Sequence, residues 1–303
     1  MDAGAETRFR PRLPVDLQRT FAGALRWPLG AMRADGVWRT TRTSDGPATV
    51  RYRTVGTDVV VQAWGPGAEC AIADAATTVG AGDDIAGFDA TRHPLVRELH
   101  RRAPGLRMLR TGAVLEALVP AVFEQKVQSG QARRAFAALV RRYGEPAPGE
   151  PARLLGLRLL PTAEVLTRVP AYAFHPLNVE GKRAATVLRC ARRAVWLEAG
   201  ATLPLTDAYA RLQSVRGVGA WTAAEVGARA FGDPDAVSVG DFHLPHTIAW
   251  ALAGEPRADD ERMLELLEPF AGHRGRVVKL VEQAGIRAPR YGPRLRLQDI
   301  RAL

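Results

Sequence analysis

Hydrophobic periodicity changes once along this chain, near His93, and that change limits the architectures open to it. Before it, alternating and β-branched segments recur at residues 37–43, 48–55 and 58–64, separated by Ser44-Asp45-Gly46-Pro47 and Val55-Gly56-Thr57. Period-two alternation bounded by turn residues predicts half-buried strands. Helical stretches at 14–24 and 68–78 accompany them, so residues 1–90 are expected to form antiparallel strands backed by helices. After His93 the pattern is helical. Val114, Leu115, Leu118, Val119, Val122 and Phe123 repeat at the three-and-four spacing of a core-facing stripe, within a stretch that reads as helix from 111 to 143. Further helices are expected over 162–169, 181–199, 206–215, 219–231, 244–253, 258–267 and 275–284, joined by short Pro- or Gly-bearing connections. The fold class is therefore α+β: an amino-terminal antiparallel sheet with helices, then a mostly α-helical region over 91–285, then a basic tail over 286–303.

A chain of 303 residues has room for two ordinary domains, and 47% apolar with 24% charged residues is the composition of a folded protein. No apolar run approaches the roughly 20 residues that cross a bilayer. The opening MDAGAETRFRPRLP has no apolar signal core. A cytoplasmic protein without membrane contact is expected. Cys70 and Cys190 lie far apart and no CxxC occurs, which excludes a disulfide scaffold, a Cys-ligated zinc and a four-Cys iron–sulfur cluster. Net charge is +10, and all but three of the 42 basic residues are arginine, the exceptions being Lys126, Lys182 and Lys279. A positive excess favours a polyanion, because neutralised phosphates release counterions. Arginine also forks onto phosphate oxygens better than lysine. A coding bias would account for the arginine share but not for the excess itself.

The densest local signal is LQSVRGVGAWTAAEV, residues 212–226, where two helices are expected to meet at Arg216-Gly217-Val218-Gly219. Paired glycines permit a tight turn, and the second helix then opens with its first amides free. Such an amino terminus suits a phosphate. A lone GxG is also a common way to end a helix. About twenty residues on comes Val237-Ser238-Val239-Gly240-Asp241-Phe242-His243-Leu244-Pro245-His246. An aspartate before a helix is ordinarily a cap that stabilises by about 1 kcal/mol. Following a glycine hairpin at this spacing, Asp241 is the candidate for chemistry.

At these residues the chain resembles the helix-hairpin-helix, Gly/Pro…Asp DNA glycosylases, and within them the 3-methyladenine (alkylbase) DNA glycosylase II branch. Pro104-Gly105-Leu106-Arg107, the helix with Ala121-Val122-Phe123-Glu124-Gln125-Lys126-Val127, and Gly181-Lys182-Arg183-Ala184 precede the hairpin in family order. Glu268-Pro269-Phe270 with Arg274 follows Asp241. The resemblance covers nearly all of residues 93–284, and the amino-terminal sheet fits the TBP-like layer of that branch by position. It implies a monomeric enzyme, associated with the nucleoid, that hydrolyses the N-glycosidic bond of damaged purines in duplex DNA, with alkylated bases the first expectation.

That chemistry requires extrusion of a nucleotide, at an unstacking cost of about a few kcal/mol, and stabilisation of a cation-like sugar. A carboxylate can do the second electrostatically and orient a water, which is the role expected of Asp241. The amides of Gly217, Gly219 and Trp221, with Thr222 and His243, are expected to hold DNA. Gln125 and Lys126 are expected to enter the duplex beside the vacated stack, although the family usually places an apolar wedge there. Family members with lyase activity carry a Schiff-base lysine immediately before Thr222; this chain has Trp221, which implies monofunctional hydrolysis. Trp221, Glu225 and Phe242 are the expected base-pocket residues. A tryptophan face attracts a cationic base by about 0.5–2 kcal/mol, though plain packing of Trp221 is the alternative. Glu225 departs from the aromatic common at its position in the branch. No redox or organic cofactor is implied, but the hairpin carbonyls of Gln213, Val215 and Val218 match positions that hold a structural Na or K ion in this family. Asp241, His243 and His246 have a metal-ligand spacing as well, against which Pro245 and the glycosylase context argue. Two other readings stay open: Asp241-Phe242-His243 also matches the Asp-x-His of 8-oxoguanine glycosylases, and a hairpin can serve as a non-catalytic DNA clamp.

Overall fold

The computed structural model describes residues 4–289 and residue 299. Strands β1 (Ala5–Phe9), β2 (Gly30–Arg33), β3 (Gly36–Thr43), β4 (Gly46–Val55) and β5 (Asp58–Trp64) form one antiparallel sheet in the order β1-β5-β4-β3-β2. The three central strands lie where the alternation predicted them. Val55 pairs with Asp58 across Gly56-Thr57, and Gly56 at φ +60° supplies the left-handed conformation such a two-residue turn needs. The two edge strands are additions to the sequence reading. Neither is long enough to show a period, and β1 arises from the polar opening segment, where Arg8 and Arg10 each bond Asp58 at 2.7 Å.

Both faces of the sheet are covered. Val37, Val50, Tyr52, Val59 and Val61 pack with Phe21 and with Ala68 and Ala71 of helix Ala68–Ala73. On the other face Trp38 packs with Ala147, Ala152, Leu157 and Leu159, and stacks on Trp64 at 5.5 Å. Two-sided cover explains why β3 is buried over five successive residues instead of at every second one.

The helices build two further cores. One joins helices Val114–Glu124, Ser129–Tyr143, Gly181–Arg192, Leu205–Gln213 and Ala220–Val226. The other joins Pro94–Arg102, Leu244–Ala253, Asp260–Leu267 and Arg274–Gln283. The chain thus begins the second core, builds the first, and returns to the second through residues 232–243. Asp241 lies on that crossing.

Before His93 the 14–24 stretch is helical only over Leu17–Phe21 and the 68–78 stretch breaks at Asp74, and three of the helices expected after it also differ in extent. The 111–143 stretch breaks between Glu124 and Ser129, where Lys126 takes φ +54°. The 181–199 stretch ends at Arg192 and restarts at Ala194. The 219–231 stretch passes at Gly227 from an α-helix into a π-turn ending at Phe231. Of the expected tail, residues 290–298 and 300–303 lie outside the described residues. No helix among the described residues is long and apolar enough to cross a membrane.

The last helix among the described residues, Arg274–Gln283, ties the amino-terminal layer to the helical region. Arg276 forms a bidentate ion pair with Asp83 at 2.6 and 2.9 Å, with side chains 2% and 3% exposed. Lys279 donates to the Thr20 carbonyl at 2.8 Å, and Gln283 to that of Arg19 at 2.7 Å. Those two carbonyls belong to the short helix Leu17–Phe21, where that of Arg19 also accepts from the Ala22 N–H at 3.3 Å.

Candidate active site

The glycine hairpin is set by sterics as much as by sequence. Gly217 has φ +100°, and a Cβ there would meet the Thr186 hydroxyl oxygen at 2.2 Å, so no other residue fits. Thr186 belongs to helix Gly181–Arg192, and Arg189 of the same helix donates to the Arg216 carbonyl at 2.9 Å. The Gly181-Lys182-Arg183-Ala184 segment therefore starts the helix that supports the turn. Gly219 is the N-cap of helix Ala220–Val226, and no side chain caps that end. A Cβ on Gly219 would meet open space. The first amides of this helix are left for water or a ligand.

Asp241 is half-buried and fully engaged on one side. Its Oδ1 accepts from the backbone N–H of His243 at 2.7 Å and of Leu244 at 2.9 Å, at the start of helix Leu244–Ala253. Its Oδ2 accepts from the Trp221 indole N–H at 3.1 Å. A carboxylate has about four acceptor sites, so one remains, and it is on Oδ2. Capping and chemistry are not alternatives here: the helix holds one oxygen and leaves the other able to face a ligand. Through Trp221 the carboxylate is one hydrogen bond from the helix whose amides edge the hairpin.

Glu225 follows Trp221 by one turn. Its Oε1 accepts from the Ser238 hydroxyl at 2.5 Å and its Oε2 pairs with Arg229 at 2.7 Å. Burial works to raise its pKa, but the Arg229 guanidinium and the Ser238 hydroxyl outweigh it, and the net shift is downward. Glu225 is thus held in its charged form by these partners. Arg229 comes from the π-turn and also donates to the Glu225 carbonyl at 2.7 Å and to that of Gly23 at 3.4 Å. Beside it Arg26 pairs with Glu124 through two bonds of 3.1 and 3.2 Å. The amino-terminal layer therefore contributes Gly23 and Arg26 to the edge of the site.

Several expected site residues sit differently. The Gln125 side-chain amide is spent on the hairpin, donating to the Gly217 carbonyl at 2.9 Å and to the Thr222 hydroxyl at 2.8 Å. It locks the turn to the hairpin and does not project toward a duplex. Lys126 is exposed at the left-handed tip. Thr222 is 2% exposed and turned inward, so its side chain supports Gln125 and offers nothing to DNA. Phe242 is 76% exposed and stacks edge-on against His243 at 4.9 Å. His243 is exposed at the N-cap of helix Leu244–Ala253, and the His246 Nδ1 accepts from the Ala258 amide at 3.1 Å. Of the hairpin carbonyls suggested for a monovalent ion, that of Val215 already accepts from Val218 N–H at 2.9 Å and keeps one lone pair. Arg274, from the Pro-aromatic-Arg element, binds Asp235 with both its backbone and side chain and so fixes the loop leading to Asp241.

Ser238, Arg229 and Arg26 were not singled out by sequence. Arg229 carried a legible signal, since Glu and Arg four apart on a helix pair. Arg26 reaches Arg229 from a distant part of the chain, and no local pattern marks it.

No family model matches the chain. It is 32% identical over 152 residues to a probable bifunctional transcriptional activator/DNA repair enzyme AlkA of Mycobacterium tuberculosis, found in two strains. The match takes in 50% of this chain but only 30% of that relative, so the chain spans about a third of the length of the curated relatives it matches. Among solved structures it is similar to the 3-methyladenine DNA-glycosylase of Archaeoglobus fulgidus, with TM-score 0.77, 17% identity, and coverage of 92% of this chain and 98% of that one. It is also similar to the apo-form of a Clostridium acetobutylicum 8-oxoguanine glycosylase/lyase, with TM-score 0.70, 16% identity, and coverage of 93% and 99%. The chain thus shares the fold of these two glycosylases over nine-tenths of its length, and is similar in sequence to the AlkA relative over half of it.

Proposed function

We propose that the protein is a monofunctional DNA glycosylase that hydrolyses the N-glycosidic bond of damaged, foremost alkylated, purines in duplex DNA, as a monomer acting on the nucleoid. The single observation that carries this reading is the Asp241 carboxylate, anchored by helix amides through one oxygen and open on the other, beside an uncapped glycine hairpin. In this reading the amides of Gly217, Gly219 and Trp221 hold a backbone phosphate next to the lesion. Lys126 occupies the space left by the extruded nucleotide, and the free site on Asp241 Oδ2 faces the sugar as positive charge develops there. Trp221 orients that carboxylate through its N–H while its ring face remains for the base. Residue 221 has no amine to attack the sugar, which is the ground for hydrolysis without strand cleavage. A monovalent cation on the carbonyls of Gln213, Val215 and Val218 belongs to the same proposal, as a structural brace for the turn.

One observation favours a second reading. The wall formed by Glu225, Arg229 and Ser238 is polar, and such a wall could hydrogen-bond the edge of a neutral oxidised purine. An excision assay on duplexes carrying 3-methyladenine, hypoxanthine or 8-oxoguanine separates the two. Release of 3-methyladenine, with strands intact until alkali treatment, is the expected result. Release of 8-oxoguanine alone, or strand incision coupled to release, would overturn the proposal.

A further inference from the structure

Asp241 is carried by a segment without regular structure, so side chains must fix where its carboxylate sits. Two ties of that segment go to the second helical core. Asp235 binds Arg274, and the Gly240 N–H donates to both carboxylate oxygens of Asp260 at 3.0 and 3.1 Å. Two others go to helix Ala220–Val226 of the first core. Asp241 Oδ2 accepts from Trp221 at 3.1 Å, and the half-buried Ser238 hydroxyl donates to Glu225 Oε1 at 2.5 Å. Trp221 and Glu225 are four positions apart, so they lie on one face of that helix, separated by a single turn. Ser238 and Asp241 are joined in their turn through the backbone, the Asp241 N–H donating to the Ser238 carbonyl at 3.2 Å. The four residues therefore close a ring that runs from Trp221 to Asp241, back to Ser238, across to Glu225 and along the helix to Trp221.

We infer that Ser238 and Glu225 are a positioning pair for Asp241, setting the distance and tilt of its carboxylate against the glycine hairpin. The inference rests on the glycosylase reading, in which Asp241 carries the chemistry. The Trp221 bond alone would hold Oδ2 at one point and leave the loop free to turn about it. A second bond one helical turn away removes that rotation. The Ser238–Glu225 bond suits the task, because a hydroxyl donating to a carboxylate is roughly twice as strong as a neutral pair. Glu225 remains a carboxylate because Arg229 pairs with its Oε2 at 2.7 Å. Arg229 in turn reaches the Gly23 carbonyl at 3.4 Å, so the pair is braced against the amino-terminal layer. The departure of Glu225 from an aromatic residue then has a physical reason: a phenyl ring would offer the Ser238 hydroxyl no comparable acceptor. Neither residue touches a reacting atom in this scheme; both act through Asp241.

The test is a double-mutant cycle of Ser238→Ala and Asp241→Asn, with Ser238→Thr as the variant that keeps the hydroxyl. Single-turnover base release at saturating enzyme is measured on whichever of the 3-methyladenine, hypoxanthine and 8-oxoguanine duplexes wild type processes fastest, beside affinity for that duplex. Ser238→Ala should slow release by about 10-fold or more, since a misplacement of about 1 Å costs up to about 100-fold. Its affinity should stay within about threefold of wild type, because a group that acts only on the transition state leaves binding in place. In the Asp241→Asn background the same substitution should cost no more than about twofold, as for two residues acting through one group. Ser238→Thr should release the base within about threefold of the wild-type rate, since the charge-assisted bond is kept. Equal losses in both backgrounds would show Ser238 acting on the substrate itself or on the fold at large, and would overturn the inference. So would Ser238→Ala at the wild-type rate, an affinity that falls in step with release, or a Ser238→Thr variant as slow as Ser238→Ala. These outcomes leave an active wild type and the glycosylase reading standing. A wild type that releases none of the three bases overturns that reading, and the inference with it.

Discussion

At the scale of residues, Asp241 is held by amides two and three positions on, whereas Gln125 is held by groups far along the chain. Asp241 could be chosen from sequence because an aspartate shortly after a glycine hairpin is a pattern in one dimension. Gln125 could be placed at the site but not given its contacts, since these are to Gly217 and Thr222, more than ninety positions away. The contact of the exposed Phe242 ring with His243 was likewise not readable, because side-chain direction in an irregular loop has no period. The Gln125 contacts have a consequence for stability. Gln125→Ala removes two hydrogen bonds, one of them to a buried hydroxyl, at about 1 kcal/mol net for each and more for the partner left unsatisfied. Denaturant unfolding should register a loss of about 1–3 kcal/mol. A change smaller than about 0.3 kcal/mol would show that the clamp is not formed in solution.

At the scale of elements, propensity located most helices but not their breaks. The break after Glu124 is set by tertiary anchors: Arg183 donates to the Phe123 carbonyl at 3.0 Å, and Gln125 is drawn to the hairpin. The other end of the same helix is capped from afar. Glu198 accepts from the amides of Val114 and Leu115 at 2.7 and 2.8 Å, yet burial pushes its pKa up to about 7 from an ordinary value of 4.5. A carboxyl group whose pKa is raised on folding binds more protons in the folded state between those two values. Its contribution to stability is therefore fully present below about pH 4.5, declines as pH rises toward 7, and is lost above it. The stability difference between wild type and Glu198→Gln, measured by denaturant titration from pH 4.5 to 8, should shift against wild type across that window and level off beyond it. A difference independent of pH, or one that grows in favour of wild type, would contradict this account of the cap.

Over the whole molecule, the fold class and the order of its parts were readable, because the change from period two to period 3.6 is a long-range statistic that single residues do not disturb. The return of the chain to an earlier core was not readable. Helix Pro94–Arg102 packs with helices that follow it by about 150 residues, and periodicity carries no record of partners. That return places Asp241 between the two helical cores, and the Asp83–Arg276 pair fixes the amino-terminal layer against helix Arg274–Gln283 of the second core. The positive charge is spread over the chain, whereas the proposed chemistry is assigned to one oxygen. Binding and cleavage should therefore separate. Single-turnover base release by Asp241→Asn, measured beside its affinity for the same lesion duplex, tests this most directly. The account predicts that release falls by at least about 100-fold, as for loss of a principal electrostatic stabiliser, while affinity changes by no more than about threefold. Release at the wild-type rate from an equally well bound duplex would contradict it.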